Sequence, residues 1–133
     1  NIVQLTLKIL AGLFTLILFA LGLSAFLDPT TALAGPAFAW SPDGIAGLSA
    51  GRGILGGQYL TLALVAAYAL AKSEFKLLYV PALAEFMIVL GRTVSLSIDG
   101  FDERMLVPLA VESIIAAGMF CAAKFLHPRP TIS

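Results

Sequence analysis

Four ionisable side chains lie inside stretches that are otherwise apolar enough to cross a membrane: Arg52, Glu85, Arg92 and Glu112. A charge near the centre of a bilayer costs on the order of 2.5–3.5 kcal/mol on insertion scales, so each should face protein or water and find a partner. Two arginines and two glutamates can neutralise one another. A shared polar centre is therefore the feature of this sequence with the strongest functional implication.

Depth along the helices separates these four residues. At about 1.5 Å per residue, Arg52 and Arg92 lie roughly 6–9 Å from one membrane boundary, and Glu112 lies about 10 Å from the same boundary. The spacing predicts an Arg92–Glu112 pair that Arg52 joins. Glu85 lies one heptad from Arg92, about 10 Å along the axis, so we expect it to stand apart, protonated or bridged by water.

These charges are open to three interpretations. Buried charge pairs can simply fix the register of a bundle. They can also form a binding site for a ligand such as a lipid headgroup or a quinone, or a path for protons or ions. Conduction needs titratable steps across the whole membrane, and the other half of the spans offers little beyond Lys8, Thr15 and Tyr68.

The elements that must position the charges are membrane-spanning helices. Hydrophobic residues make up 59% of the 133 positions and charged residues only 12%, against about 25% charged in an average soluble domain. Apolar runs of about 20 residues suffice to cross the hydrocarbon core. Four such runs occur, at residues 3–27, 48–71, 75–98 and 105–125. We therefore predict one all-α domain over residues 1–133, an integral membrane four-helix bundle.

The long connection after the first span predicts a short interfacial helix. Asp28 followed by Pro29 is typical of an N-cap and a first helical position, so a helix is expected over residues 29–34, ended by Gly35. The rings of Phe38 and Trp40 suit the headgroup zone of a membrane. The segment is therefore expected to lie on the membrane surface.

Basic residues concentrate on the side of the membrane that holds both termini. On the opposite side, Arg104 is the only basic residue outside a span. The positive-inside rule then predicts that both termini are cytoplasmic. The basic residues on the terminal side are Lys8, Lys72, Lys76, Lys124 and Arg129.

Residues 51–56 match the dinucleotide-binding pattern G-x-G-x-x-G letter for letter. That pattern indicates nucleotide binding only after a strand and within a βαβ unit, whereas here it opens a membrane span. Helix packing is the better interpretation, because Gly47/Gly51 and Gly53/Gly57 are G-x-x-x-G pairs that let two helix backbones touch. The contact can lie inside the bundle or against another subunit.

Charge and composition restrict the possible partners and chemistry. The formal net charge of +0 argues against a nucleic acid partner. One cysteine and one histidine argue against an internal disulfide and a protein-built metal or haem site. No serine or threonine has a plausible base nearby in sequence. We expect neither catalysis nor a cofactor.

Three sequence elements carry a resemblance to a known group of proteins. They are Gly51-Arg52-Gly53 with Gly56-Gly57 in the second span, Gly91-Arg92-Thr93-Val94-Ser95 followed by Asp99-Gly100 in the third, and Glu112 in the fourth. With this layout the chain resembles a family of small bacterial four-span membrane proteins of unknown function, loosely similar to the DoxX-like proteins. The resemblance implies an inner-membrane helical bundle in a bacterium and implies no chemistry.

The expected function is non-catalytic. A chain with spare small-residue faces and no extramembrane domain suits an accessory or structural subunit, packed against a larger respiratory or photosynthetic membrane complex. The alternative is a module that binds or transports a lipid, a quinone or an anion through the Arg/Glu cluster. The expected partners are the bilayer and other membrane subunits.

Overall fold

The chain folds into helices, in agreement with the fold predicted from its sequence. The computed structural model describes residues 1–128 and contains no strand within them; Arg129 lies outside the described residues. Four helical segments are long and apolar enough to span a membrane, and the fifth helix is the short one expected after the first span. The helices are α1 (Ile2–Leu27), α2 (Pro29–Ala34), α3 (Gly44–Lys72), α4 (Tyr79–Ile98) and α5 (Leu106–Phe125).

The span boundaries agree with the apolar runs, with one difference at α3. This helix begins at Gly44 rather than at residue 48, because residues 44–47 are small or apolar and continue the helical turn. Short 3₁₀ turns at Phe75–Leu78 and Glu103–Met105 lead into α4 and α5. Successive long helices therefore run antiparallel, with the termini at one end and residues 28–43 and 99–104 at the other. We call the latter end the loop face.

The short helix α2 has the capping predicted for it. The side chain of Asp28 accepts a hydrogen bond from the backbone nitrogen of Thr31 at 3.3 Å, which satisfies one of the free donors of the first turn. Pro29 occupies the first position and Gly35 ends the helix. Leu33 is fully buried and Phe38 nearly so, so this segment covers the end of the bundle.

Residues in the first turns of α1 link the two ends of the described chain. The side-chain amide of Gln4 donates to the Phe125 carbonyl at 2.6 Å and its oxygen accepts from the His127 nitrogen at 3.1 Å. Further along α1, the Lys8 ammonium lies 5.4 Å from the centre of the Phe75 ring. These contacts place α1, α5 and the start of the third span side by side at the end opposite the loop face.

Helices α1 and α3 approach each other closely at two glycines, Gly22 and Gly56, which lie outside the G-x-x-x-G pairs. A methyl group at Gly22 would lie 2.6 Å from the Leu60 backbone nitrogen, and one at Gly56 would lie 2.8 Å from the Phe26 backbone nitrogen. At both positions only a hydrogen fits between the two backbones. A third glycine, Gly118 of α5, lies directly against the ring of Phe14.

The four glycines of the G-x-x-x-G pairs have other neighbours. Gly51 lies against the Leu33 side chain of α2, and Gly47 lies against Pro42. Gly53 and Gly57 have no neighbour within 4 Å of the position a methyl group would take. Any helix packing at these two glycines must therefore involve another molecule, which stays a prediction.

One turn of α3 departs from α-helical geometry. Residues Gly51–Gly56 form a π-helix, between α-helical Gly44–Ala50 and Gly57–Lys72. Because i→i+5 bonding takes more residues per turn than i→i+4 bonding, the π-helix changes which side chains share a face. This shift decides where Arg52 points.

Candidate functional site

The centre of the site is an ion pair between α4 and α5. Arg92 donates from Nε to Oε2 of Glu112 at 2.7 Å and from Nη2 to Oε1 at 3.4 Å. The Glu112 side chain is 4% exposed and that of Arg92 is 24% exposed. The structure thus brings together the two residues that helix depth and register had paired. The bidentate geometry also fixes how the two helices face each other.

A third helix joins this pair through Tyr59 of α3. The tyrosine is 3% exposed, and its hydroxyl donates to Oε1 of Glu112 at 3.1 Å. A buried tyrosine hydroxyl needs a hydrogen-bond partner, and this requirement was the signal in the sequence that could have identified it. Glu112 therefore accepts hydrogen bonds from side chains of two different helices.

The prediction that Arg52 joins the Arg92–Glu112 pair is wrong. Arg52 instead donates from Nη1 to the carbonyls of Phe26 and Leu27, at 2.6 and 2.8 Å. Two physical causes explain the difference. In a regular α-helix Arg52 and Tyr59, seven residues apart, would share one face, but the π-helix between them removes that register. The last carbonyls of α1 also lack partners within their own helix.

Glu85 stands apart from these contacts, as its depth had indicated. The residue is 0% exposed, and neither of its carboxyl oxygens has a hydrogen-bond partner within residues 1–128. It shares one face of α4 with Ile88 and Arg92, three and seven residues further along. Its protonation or bridging by water stays a prediction.

The ion pair lines a cavity of about 360 Å³ that lies beneath the loop face. Arg92, Glu112 and Tyr59 contribute its polar wall together with the Gln58 amide, and the remaining lining is largely apolar. The volume falls near the lower end of the roughly 300–1,000 Å³ of small-molecule sites. The apolar and aromatic lining comes from Phe38, Ala39, Trp40, Leu55 and Ile88.

The segment after α2 closes one side of this cavity. The Phe38 ring meets the Tyr59 ring edge-on, with centroids 5.5 Å apart and an interplanar angle of 89°. Ala39 has a φ of 51°, a left-handed conformation that costs a non-glycine residue on the order of 1–3 kcal/mol. Backbone bonds hold it there: its nitrogen donates to the Gly35 carbonyl at 2.8 Å, and the Trp40 nitrogen donates to the Leu33 carbonyl at 2.7 Å.

A family model described as a domain of unknown function, DUF4345, matches residues 6–123. The chain belongs to the DUF4345 family. The matched region contains all four candidate spans except their outermost residues, and every residue that lines the cavity. No curated protein and no solved structure matches this chain. The described part of this DUF4345 chain is helical, with four helices apolar enough to span a membrane. The family description states no activity.

The cavity of this DUF4345 chain offers hydrogen-bond donors in an apolar setting. The Arg92 guanidinium has five N–H donors, and Glu112 accepts from only two of its nitrogens. Within residues 1–128, Nη1 of Arg92 has no protein acceptor. Because the charges of Arg92 and Glu112 cancel, this pair offers free hydrogen-bond donors to the cavity without giving it a net charge.

No metal centre is found in the described part of this DUF4345 domain. Within residues 1–128, no group of three or more histidine, cysteine, aspartate or glutamate side chains is placed to hold a metal ion. Cys121 lies exposed on α5, outside the set of residues that lines the cavity. The side chains around Glu112 are thus the polar groups of Arg92 and Tyr59 within a largely apolar lining.

Proposed function

We propose that this chain is a membrane-embedded binding module for a neutral ring compound with carbonyl oxygens, of the quinone class. The observation that carries the proposal is the Arg92 guanidinium, held by Glu112 at 2.7 Å in the wall of an otherwise apolar and aromatic cavity. A few well-placed polar groups in an apolar enclosure are typical of small-molecule sites.

Charge favours a neutral ligand over a free anion. The positive charge of Arg92 is already balanced by Glu112, with which it makes two hydrogen bonds. An added anion would leave the cavity with a net negative charge in a low-dielectric setting, which is costly. A carbonyl oxygen accepts a hydrogen bond from Nη1 without adding charge, so it suits these donors best.

The shape of the cavity supports the same ligand class. The rings of Phe38 and Trp40, on the loop-face side, are suitable for stacking or edge contacts with a planar ring. A volume of about 360 Å³ accommodates a head group, while an attached apolar tail would extend into the surrounding lipid.

Trp40 provides a direct assay, because it is the only tryptophan in the chain and lines the cavity. We expect saturable quenching of its fluorescence when decylubiquinone is titrated into the protein in detergent micelles. Ile88→Phe, which fills the cavity from α4, should weaken the apparent affinity at least tenfold. Leu90→Phe is the matched control, because Leu90 lies on the same helix and is exposed.

Two results would contradict the proposal. Quenching that rises linearly without saturation in the unmodified protein would indicate only collision with quinone dissolved in the micelle. Equal affinities of Ile88→Phe and Leu90→Phe would place any binding outside this cavity. Circular dichroism of both variants checks that each remains folded.

A second candidate is the accessory-subunit role, favoured by the open glycines of α3. Gly53 and Gly57 have no neighbour within 4 Å, and Ile54 between them is 65% exposed. Close helix contacts in membranes use such small residues. Isolation in mild detergent tests this role: stoichiometric larger subunits that are lost from Gly53→Leu protein would support it, and an isolated chain would contradict it.

We further propose a bacterial inner-membrane location with both termini in the cytoplasm. The asymmetry of Lys8, Lys72, Lys76 and Lys124 against Arg104 supports this orientation by the positive-inside rule. Labelling of single cysteines by an impermeant maleimide in intact cells tests it. In a Cys121→Ser background, Ser73→Cys should stay unlabelled and Phe101→Cys should react; the reverse pattern would overturn the assignment.

A further inference from the structure

Arg52 has an unoccupied hydrogen-bonding edge at the loop face. Its Nη1 donates to the carbonyls of Phe26 and Leu27 at 2.6 and 2.8 Å. These two bonds use both hydrogens of Nη1, so Nε and both hydrogens of Nη2 remain free of protein acceptors within residues 1–128. The bonds to α1 hold the guanidinium in place and leave its Nε/Nη2 edge available.

The other two arginines of the described chain show what that edge binds. Arg92 uses Nε and Nη2 to hold the Glu112 carboxylate, and Arg104 uses Nε and Nη2 to hold the Asp102 carboxylate. Carboxylate and phosphate both present paired oxygens that match this planar fork. Arg52 alone of the three has the same edge without an anion.

No acidic side chain within residues 1–128 forms an ion pair with Arg52. Asp28 directly follows Leu27, but its side chain accepts from the Thr31 nitrogen and thus caps α2. The charge of Arg52 is therefore without a direct protein partner at this position, and an anion from outside the chain would complement it.

An apolar groove leads away from the guanidinium. It has a volume of about 500 Å³ and opens to the surroundings of the bundle. Ile45 is 88% exposed, and nothing lies within 4 Å of the place a methyl group would take at Gly53. The groove is lined by Phe26, Ile45, Leu48, Ser49, Arg52 and Gly53.

The guanidinium of Arg52 lies at the loop-face end of α1, whose last carbonyls it binds. Helix α1 has 26 residues, so it is about 39 Å long, which exceeds the roughly 30 Å of the hydrocarbon core. With α1 centred on the bilayer, its last carbonyls, those of Phe26 and Leu27, would lie near or beyond the hydrocarbon boundary, farther out than the depth expected for Arg52 from its distance to residue 48. Arg52, bound to both carbonyls, lies at their level.

We propose that Arg52 and this groove bind a phospholipid, with its phosphate on the Nε/Nη2 edge and an acyl chain that runs from there past Phe26 and Gly53 towards the membrane interior, while Ile45 and Leu48 lie on the headgroup side. The site is distinct from the cavity at Arg92, and the inference does not depend on the function proposed for that cavity. Free phosphate shares the headgroup chemistry, but only a lipid also occupies the apolar groove.

Native mass spectrometry of the whole chain, after delipidation and addition of phosphatidylglycerol in micelles, tests the proposal. We expect one tightly bound lipid, and at least a tenfold weaker affinity in Arg52→Lys. Lysine keeps the charge but lacks the planar fork. Arg104→Lys is the matched control, since Arg104 lies on the same face with its edge occupied by Asp102, and it should bind lipid as the unmodified chain does.

A second variant tests the groove without altering the arginine. Phe26→Asn removes half-exposed apolar surface from the groove, keeps the backbone carbonyl that holds Arg52, and should also weaken lipid binding, by several-fold. Equal lipid affinity in Arg52→Lys and the unmodified chain would overturn the proposal. So would equal losses in Arg52→Lys and Arg104→Lys, which would indicate general attraction to basic residues. Thermal protection by inorganic phosphate equal to that by phosphatidylglycerol would show that the acyl chain has no part.

Discussion

Removing either partner of the Arg92–Glu112 pair should destabilise the bundle, and by different amounts. In Arg92→Ala, Glu112 remains buried with the Tyr59 hydroxyl as its one side-chain donor, and a buried charge left without its partner costs about 3–5 kcal/mol. In Glu112→Ala, the arginine still borders the cavity and is 24% exposed, so water can reach it. The expected loss there is smaller, about 1–3 kcal/mol.

The double variant isolates the interaction itself. Hydrogen bonds to charged groups contribute about 1.5–3 kcal/mol, so the double variant should lose less than the sum of the single losses by about that amount. Neutral hydrogen bonds between membrane helices average only about 0.6 kcal/mol in such cycles. A coupling that small would mean that the charges of Arg92 and Glu112 add nothing to the contact.

Reversible unfolding in mixed micelles with increasing dodecyl sulfate, followed by circular dichroism, measures these free energies. The control cycle combines Arg92→Ala with Thr61→Ala, because Thr61 is exposed on α3 and bonds only to its own helix. That cycle should be additive within about 0.5 kcal/mol. Additive losses in the Arg92/Glu112 cycle, or a larger loss in Glu112→Ala than in Arg92→Ala, would refute the reasoning from burial.

Two further predictions concern the packing of α3 and the loop face. Gly56→Ala should destabilise the bundle by about 1–3 kcal/mol, because the added methyl group would lie 2.8 Å from a backbone nitrogen of α1; Gly57→Ala, which meets no neighbour, should be neutral or stabilising in the same unfolding assay. The side-chain hydrogen bond from Arg104 lowers the pKa of Asp102 from 3.8 to about 2, so this ion pair contributes stability above the unfolded pKa and loses that contribution as the pH falls towards 2. A carboxyl NMR titration should find the pKa of Asp102 returned towards 3.8 in Arg104→Gln, and an unchanged value would contradict the assignment.

Regular helices account for the part of the site that the sequence could predict. Arg92 and Glu112 lie on α4 and α5, whose α-helical stretches are uninterrupted, so counting residues from each boundary places them at one level. Tyr59 could also have been predicted as a member of the site, because a tyrosine hydroxyl buried in a span needs a hydrogen-bond acceptor. The cavity itself could not be predicted, because it depends on how the segment around Phe38 folds back over the bundle.

The packing glycines show a different limit. The G-x-x-x-G motif identified Gly53 and Gly57, at which an added methyl group would meet no neighbour within 4 Å, whereas Gly22 and Gly56, which the helical periodicity of the spans places on their packing faces, make the close contacts. A G-x-x-x-G pair describes one helix, whereas close approach depends on where a second helix crosses it. The crossing of α1 and α3 is set by their side chains along the whole contact, so no local motif reveals it.

Arg52 and Arg92 both lie in membrane-type spans, yet they make different contacts because of helical phase. Arg92 follows a regular turn of α4 and meets a carboxylate, so its charge is balanced inside the protein. Arg52 lies in the π-helical turn, which directs it to the free carbonyls of α1, and these accept hydrogen bonds without neutralising its charge. The first arrangement suits recognition of a neutral ligand and the second suits recognition of an anion.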